Sequence, residues 1–202
     1  TDSFQEVNGV ALTSRQLQAL ERRRGYTFFS AHTGPETRVW TADSITRCEL
    51  AVGPMSIPLE SDLHFDTTFL RLKNTVGMAI DKFRPDIVHI TGPSSTGLLG
   101  LIAARGRRIP LVASWHTNIH EYGGRRLQSL LRFLPKSWSH AAGRAAEAAA
   151  LAATLRFYRF ARVTLAPNPE LTELIERGAQ RPCLLMRRGV DIEVFHPARR
   201  DR

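Results

Sequence analysis

The most informative segment for the fold is an apolar strand signal followed by a turn and a helix signal. It runs Pro85-Asp86-Ile87-Val88-His89-Ile90-Thr91, then Gly92-Pro93-Ser94-Ser95, and apolar residues continue at helical spacing over 98–102. A short apolar run bounded by turn residues predicts a buried strand, and the polar cluster after it predicts the start of a helix. The same strand signal recurs over 109–115 and ends at His116.

The same alternation of strand and helix signals covers most of the chain. Further strands are predicted at 26–31, 163–166 and 183–186, and helices at 10–24, 67–83, 94–105, about 125–162 and 170–177. Gly25 and Gly178 are predicted to stop the helices that precede them. Strands separated by helices need crossover connections, and near-continuous apolar strands suit a parallel sheet that is covered on both faces. The sequence therefore predicts a doubly wound α/β domain with a parallel sheet.

Composition narrows the class of protein without choosing a function. The 202 residues carry a formal net charge of +9, from 28 basic and 19 acidic residues. Such a charge favours an anionic partner, namely nucleic acid, an anionic lipid surface or a phosphate-bearing substrate, although general enrichment in arginine would also produce it. No recognisable nucleic-acid motif occurs, and aromatic residues do not alternate with the basic ones as stacking platforms. We therefore expect no nucleic-acid partner.

Cysteine use and hydropathy point to the cytoplasm. Cys48 and Cys183 lie far apart and without metal-ligand spacing, so the sequence predicts neither a disulfide framework nor a zinc site. No segment approaches the roughly 18 to 20 uninterrupted apolar residues that a membrane span requires. The first six residues lack the basic start and apolar centre of a secretory signal. The region from 125 to 162 is amphipathic and basic, which fits either a solvated helix face or contact with a membrane surface.

Candidate site residues follow from the position of loops in parallel sheets. Ligands bind beyond the carboxyl ends of the strands. This rule selects Asn8-Gly9-Val10, Gly92-Pro93-Ser94-Ser95, His116-Thr117-Asn118 and the loop at 167–170. Gly9 could admit a ligand close to the backbone or simply make a turn, and the loop at Gly92 could bind a ligand or simply cap a helix.

His116 is the sharpest of these candidates. It directly follows a buried strand and precedes Thr117 and Asn118, so a hydrogen-bonding cluster lies where a sugar hydroxyl or phosphate could bind. A structural role for the imidazole is the alternative. His116 and His120 have helical spacing, but residue 117 is Thr rather than the Glu that zinc proteases need, so no metal is expected. The chain also lacks the Gly-x-Ser-x-Gly elbow, the P-loop and the three-glycine dinucleotide motif.

Together these motifs resemble the N-terminal domain of glycosyltransferase subfamily 4, whose members include bacterial lipid mannosyl- and glucosyltransferases. Four blocks carry the resemblance, in the family's order. They are Thr1-Asp2-Ser3-Phe4 through Asn8-Gly9-Val10-Ala11; Arg84-Pro85-Asp86-Ile87-Val88-His89 through Gly92-Pro93; Pro110-Leu111-Val112-Ala113-Ser114-Trp115-His116-Thr117-Asn118 through Glu121-Tyr122; and Arg188-Gly189-Val190-Asp191 through Phe195-His196-Pro197.

The resemblance implies a Rossmann-like domain that is the N-terminal, acceptor-side half of a retaining GT-B enzyme. Such an enzyme transfers a hexosyl group, mannosyl or glucosyl, from a nucleotide diphosphate sugar to a lipid or glycan, without a metal. His116 is implied as the catalytic residue of the cleft. The donor- and acceptor-binding positions implied are Asn8, Gly9, Val10, Gly92, Thr117, Asn118, Glu121 and Tyr122.

The resemblance also divides the protein. Residues 1–187 correspond to the acceptor-side domain, and 188–202, with Arg188, Gly189 and Asp191, to a hinge. The family places most diphosphate contacts and a Glu-x7-Glu motif in a second domain after that hinge, and its first strand before the position of Thr1. We therefore expect both ends to be cut and the isolated chain to be inactive. A non-catalytic sugar- or lipid-binding half that acts with a partner chain is the alternative. The expected location is the cytoplasm, with peripheral contact to the anionic inner face of the membrane.

Overall fold

The computed structural model describes residues 1–2, 9–58, 64–116, 136–187, 189 and 196. The described α-helices are α1 (Gly9–Arg24), α2 (Lys73–Phe83), α3 (Ser95–Arg107), α4 (Lys136–Tyr158) and α5 (Pro169–Ala179), and a 3₁₀ helix (Phe69–Leu72) precedes α2. The described strands are β1 (Phe28–Gly34), β2 (Arg38–Ala42), β3 (Ile45–Ala51), β4 (Ser56–Pro58), β5 (His64–Asp66), β6 (Val88–Ile90), β7 (Leu111–Ser114), β8 (Val163–Ala166) and β9 (Cys183–Leu185).

The strand signals at 85–91 and 109–115 form the start of an all-parallel sheet. Its strand order is β6-β7-β8-β9, and every adjacent pair is parallel. The strands alternate with α3, α4 and α5 along the chain, so each connection between neighbours is a helical crossover. The predicted α/β fold with a helix-flanked, Rossmann-like parallel sheet is confirmed.

A second sheet contains the strand predicted at 26–31, observed as β1, together with β2 and β3, which the sequence patterns did not predict. Its order is β1-β3-β2; β1 pairs with β3 in parallel, and β2 pairs with β3 antiparallel through a turn at Asp43, whose φ is 55°. β2 is largely exposed and mixes polar with apolar residues, so it lacks the apolar run that marks a buried strand. β4 and β5 form a separate short antiparallel pair.

Helix α3 packs against the cores associated with both larger sheets. Leu101 and Ala104 belong to one buried cluster, which includes Leu111 of β7. Leu99 and Ala103 belong to another, which includes Leu50 of β3. Because its buried residues serve two clusters, α3 fixes the loop at its N-terminus relative to both sheets.

The predicted helix ends are partly right. Gly25 has a φ of 69°, which is a left-handed conformation that favours glycine, and it ends α1 as predicted. The prediction for Gly178 was wrong, because α5 continues through Ala179 and ends at Gln180, whose φ is 51°. A Cβ at position 178 would lie only 2.5 Å from Leu155 Cδ1 of α4. Glycine is therefore used here for close helix packing rather than to stop the helix.

Candidate active site

His116 lies where the sequence placed it, directly beyond β7. The pairing of β7 with β8 continues one residue past the strand, because the Trp115 amide donates to Leu165 O at 2.8 Å. Trp115 is buried, and His116, the next residue, is half-buried. The imidazole therefore stands at the carboxyl edge of the parallel sheet, the edge at which such sheets bind ligands.

Ser114 connects His116 to a second histidine that the sequence reasoning did not single out. Ser114 Oγ lies 2.7 Å from His116 Nε2 and 2.9 Å from His89 Nε2, on the neighbouring strand β6. Side chains two residues apart on a strand share a face, which explains why Ser114 reaches His116. Ser114 itself is completely buried. The signal in the sequence was the alternation of polar residues at 114 and 116 in an otherwise apolar strand.

The electrostatic surroundings keep His89 neutral at physiological pH. Among the described strands, β6 pairs only with β7, and part of His89 reaches solvent. The ring is nevertheless sufficiently enclosed by protein that desolvation lowers its pKa to about 4. A neutral imidazole carries one N–H, so one ring nitrogen donates while the other accepts.

The opposite face of β7 is held by an aromatic pair. The Trp115 ring stacks on Tyr158 of α4, with centroids 5.2 Å apart and an interplanar angle of 19°. The Tyr158 hydroxyl donates to Ser114 O at 3.0 Å. Burial raises the pKa of Tyr158, so the phenol stays protonated and remains a donor. These contacts fix the backbone that carries Ser114 and His116.

Gly92 lies close to this end of β7. Its φ is 145°, a conformation that favours glycine, and a Cβ there would lie 3.9 Å from Tyr158 Oη. The loop also caps α3 as predicted, because Ser94 Oγ accepts a hydrogen bond from the Gly97 amide at 3.2 Å. The structure thus brings the turn at Gly92 and the end of β7 together through Tyr158.

Asp2 supplies a carboxylate to the N-terminus of α3. Asp2 Oδ1 accepts a hydrogen bond from the Thr96 amide at 3.1 Å, and Asp2 O accepts one from Thr33 Oγ1 of β1 at 2.6 Å. Carboxylates are favoured at helix N-termini, where amides are free. In the sequence, Asp2 stands only as part of the first motif, and its contact across 94 residues could not be inferred from spacing.

A buried polar cluster around Asp66 also contacts the N-terminus of α3. The Asp66 amide donates to Ser95 Oγ at 2.8 Å, while the carboxylate accepts from the Gly53 amide at 2.9 Å and pairs with Arg71 at 2.5 Å. Although burial raises the pKa of Asp66, hydrogen bonds from Arg71, Thr68 and Gly53 lower it to about 2. Asp66 therefore remains ionised and connects the loop after β3 to the start of α3.

The other predicted site residues divide into described and undescribed ones. Gly9 and Val10 lie in the first turn of α1, where Thr13 Oγ1 donates to Gly9 O at 2.8 Å. Gly189 is exposed. The predicted positions Asn8, Thr117, Asn118, Glu121, Tyr122, Arg188 and Asp191 lie outside the described residues. Their roles, and those of Gly9 and Val10, stay predictions, as do the boundary at 187 and the hinge.

Two kinds of feature, a metal-binding cluster and a membrane-spanning helix, do not occur in the described part of the chain. Across these residues, no group of three or more histidine, cysteine or acidic side chains is arranged to hold a metal ion. None of the helices in the described ranges is long and apolar enough to cross a membrane.

The α/β fold agrees with the family that the chain matches. Residues 10–194 match Glycosyltransferase Family 4, so the chain belongs to that family. It is also similar to the sulfoquinovosyl transferase of Arabidopsis thaliana, with 30% identity over 132 residues, which are 63% of this chain and 23% of the relative. The chain therefore spans about a quarter of that relative's length. The predicted family is confirmed.

Proposed function

We propose that the chain is the acceptor-side part of a retaining GT-B glycosyltransferase and that His116 is its catalytic residue in the cleft. The reaction is transfer of a hexosyl group, mannosyl or glucosyl, from a nucleotide diphosphate sugar to a lipid or glycan acceptor. The observation that carries the proposal is the half-buried imidazole of His116 at the carboxyl end of β7, held by Ser114 at 2.7 Å.

An imidazole in this position suits contact with the transferred sugar. Its Nε2 is engaged by Ser114, so the ring has a defined orientation. Imidazole can donate or accept a hydrogen bond near neutral pH, and a positioned donor or acceptor at a sugar hydroxyl stabilises the transition state more than a mobile one. The proposed role is positioning and polarising the sugar, with no nucleophilic attack by the protein.

The surroundings of Gly92 favour a neutral ligand group. Asp2 already accepts the Thr96 amide and places negative charge at the start of α3. A donor diphosphate would be repelled there, whereas an acceptor hydroxyl would not be. We therefore assign the turn at Gly92 to the acceptor and expect the diphosphate to be stabilised by basic side chains and free helix amides elsewhere in the cleft.

The test is a donor-panel assay on the intact enzyme and its His116→Ala variant. Losing one hydrogen bond in the transition state should lower kcat by about 3- to 10-fold if the bond is neutral, and by about 10- to 100-fold if it is charge-assisted. His64→Ala is the matched control, because His64 is an exposed histidine on β5. Turnover by His116→Ala equal to that of the parent would remove His116 from the active site.

A second arm of the assay addresses the isolated chain. We expect residues 1–202 alone to give no measurable transfer, because catalysis in a GT-B enzyme needs both walls of the cleft to orient the reactants. Well-oriented reactants can be worth roughly 7 to 11 kcal/mol. Transfer by the isolated chain at the rate of the intact enzyme would contradict the assignment as half of an active site. If the intact enzyme binds sugars or lipids but turns over none of the donors, the non-catalytic alternative is favoured.

A further inference from the structure

We propose that Ser114 and His89 are positioning residues that orient His116 and determine which of its ring nitrogens carries a proton. The inference rests on the proposed function only in naming His116 as the group that acts on the sugar. The hydrogen-bonded chain from His89 to Ser114 to His116 is a property of the fold and can be tested without an activity assay.

The hydrogen bonds between His89, Ser114 and His116 must share a limited number of protons. Ser114 Oγ lies within hydrogen-bond distance of Nε2 of both imidazoles. A serine hydroxyl has one hydrogen to donate, and it can accept as well. If both bonds are made, Ser114 donates to one Nε2 and accepts from the other. His89 and His116 must therefore have opposite protonation at Nε2.

The surroundings of Ser114 restrict it to this hydrogen-bonding arrangement. The residue is completely buried in the centre of the sheet, between β6 and β8. Its backbone carbonyl accepts from Tyr158, and the next amide is paired with Leu165. A buried hydroxyl that loses its partners keeps the full cost of desolvation, so the two imidazole bonds are favoured together.

His89 can accommodate protonation of His116 through Ser114. When His116 becomes protonated on both nitrogens, its Nε2 can only donate, and Ser114 must turn its hydrogen to His89 Nε2. His89 must then accept, which requires a neutral ring with its proton on Nδ1. The low pKa of His89 keeps it neutral, and the partial exposure of its side chain allows exchange of the ring proton with solvent.

The spectroscopic test uses ¹⁵N-histidine NMR on the intact enzyme at neutral pH. Signals are assigned by their loss in His89→Gln and His116→Gln. We expect one of the two Nε2 atoms to be protonated and the other unprotonated in the parent. In Ser114→Ala, we expect the Nε2 signals of both rings to shift away from their values in the parent. Equal protonation at the two Nε2 atoms in the parent, or no change in Ser114→Ala, would overturn the proposal.

The kinetic test separates positioning from general loosening of the fold. Ser114→Ala should lower kcat by about 3- to 10-fold, the range for one neutral hydrogen bond, with little change in KM for the donor. Ser114→Thr retains the hydroxyl and should recover part of that loss. The matched control is Thr164→Val, which removes a buried hydroxyl from the adjacent strand, where Thr164 Oγ1 donates to Pro182 O at 2.9 Å.

The outcomes distinguish this proposal from the proposed function. If Thr164→Val lowers kcat as much as Ser114→Ala does, the effect is loss of stability and the positioning role is wrong. If His116→Ala retains parental turnover, the proposed function fails, while the NMR result still decides whether Ser114 sets the tautomer of His116. If Ser114→Ala does not fold, the opposite protonation of the two rings in the parent still tests the proposal.

Discussion

One substitution made twice in the same helix should have opposite effects on stability. Gly97 and Gly106 both lie in α3. A Cβ at Gly106 would meet no atom within 4 Å, whereas a Cβ at Gly97 would collide with Gly92 O and lie 3.1 Å from Gly92 C. The obstruction at Gly97 is backbone of the turn that ends β6, so it cannot move aside as a flexible side chain would.

The magnitudes follow from helix propensity and overpacking. Replacing glycine by alanine inside a helix is favourable by at most about 1 kcal/mol, which we expect in full or in part for Gly106→Ala. At Gly97 the same gain is opposed by overpacking, which typically costs about 1 to 3 kcal/mol and more when backbone must shift. We therefore expect Gly97→Ala to lower the free energy of unfolding by roughly 1 to 2 kcal/mol, and the two variants to differ by roughly 2 to 3 kcal/mol.

The assay is urea unfolding of the intact enzyme and both variants, with the midpoint and slope fitted for each. Displacement of the turn at Gly92 should also reduce turnover in Gly97→Ala, because that turn lies beside Tyr158 and the end of β7. Gly106→Ala should retain the parental rate. Equal stabilisation by the two substitutions would refute the close approach between α3 and Gly92.

Two further predictions concern charge. Asp66→Asn should lower the free energy of unfolding by about 1 to 2 kcal/mol at neutral pH. The folded protein lowers the pKa of Asp66 from 3.8 to about 2, so this contribution is present above about pH 4 and is lost as the pH falls toward 2. Urea midpoints between pH 2 and 7 check this, and a constant difference between parent and variant over that range would contradict it. The basic region 125–162 should bind anionic vesicles weakly and in a salt-dependent way, with each basic residue near the surface contributing about 1 kcal/mol. In co-sedimentation, replacement of Arg156 in α4 and of Arg159 just after it by Gln should weaken binding, because both side chains are exposed. Equal binding to neutral and anionic vesicles would count against a membrane role.

Local patterns in the sequence were sufficient for the parallel sheet and for several element ends. The apolar runs at 85–91 and 109–115 gave β6 and β7, because short apolar runs bounded by turn residues are typical of strands in a helix-covered parallel sheet. Gly25 was predicted as a helix stop from local backbone chemistry, and the cap made by Ser94 is one of the two roles that the sequence left open for its loop. Exposed β2 had no such signal, and Gly178 was misassigned because a glycine needed for packing has the same appearance in sequence as one that ends a helix.

The position of His116 and the family to which the chain belongs were determined by the sequence alone, because both depend on a strand signal and on motifs that are contiguous along the chain. The hydrogen-bond network around that histidine is seen only in the tertiary structure. Ser114 joins His116 to His89, 25 residues away from Ser114, and Tyr158 of α4 reaches the same serine from 44 residues away. Parallel strands meet only through crossover connections, so residues distant in sequence become neighbours once the register of the sheet is set. A hydrogen bond depends on that spacing to within a few tenths of an ångström, which no pattern of residue types specifies.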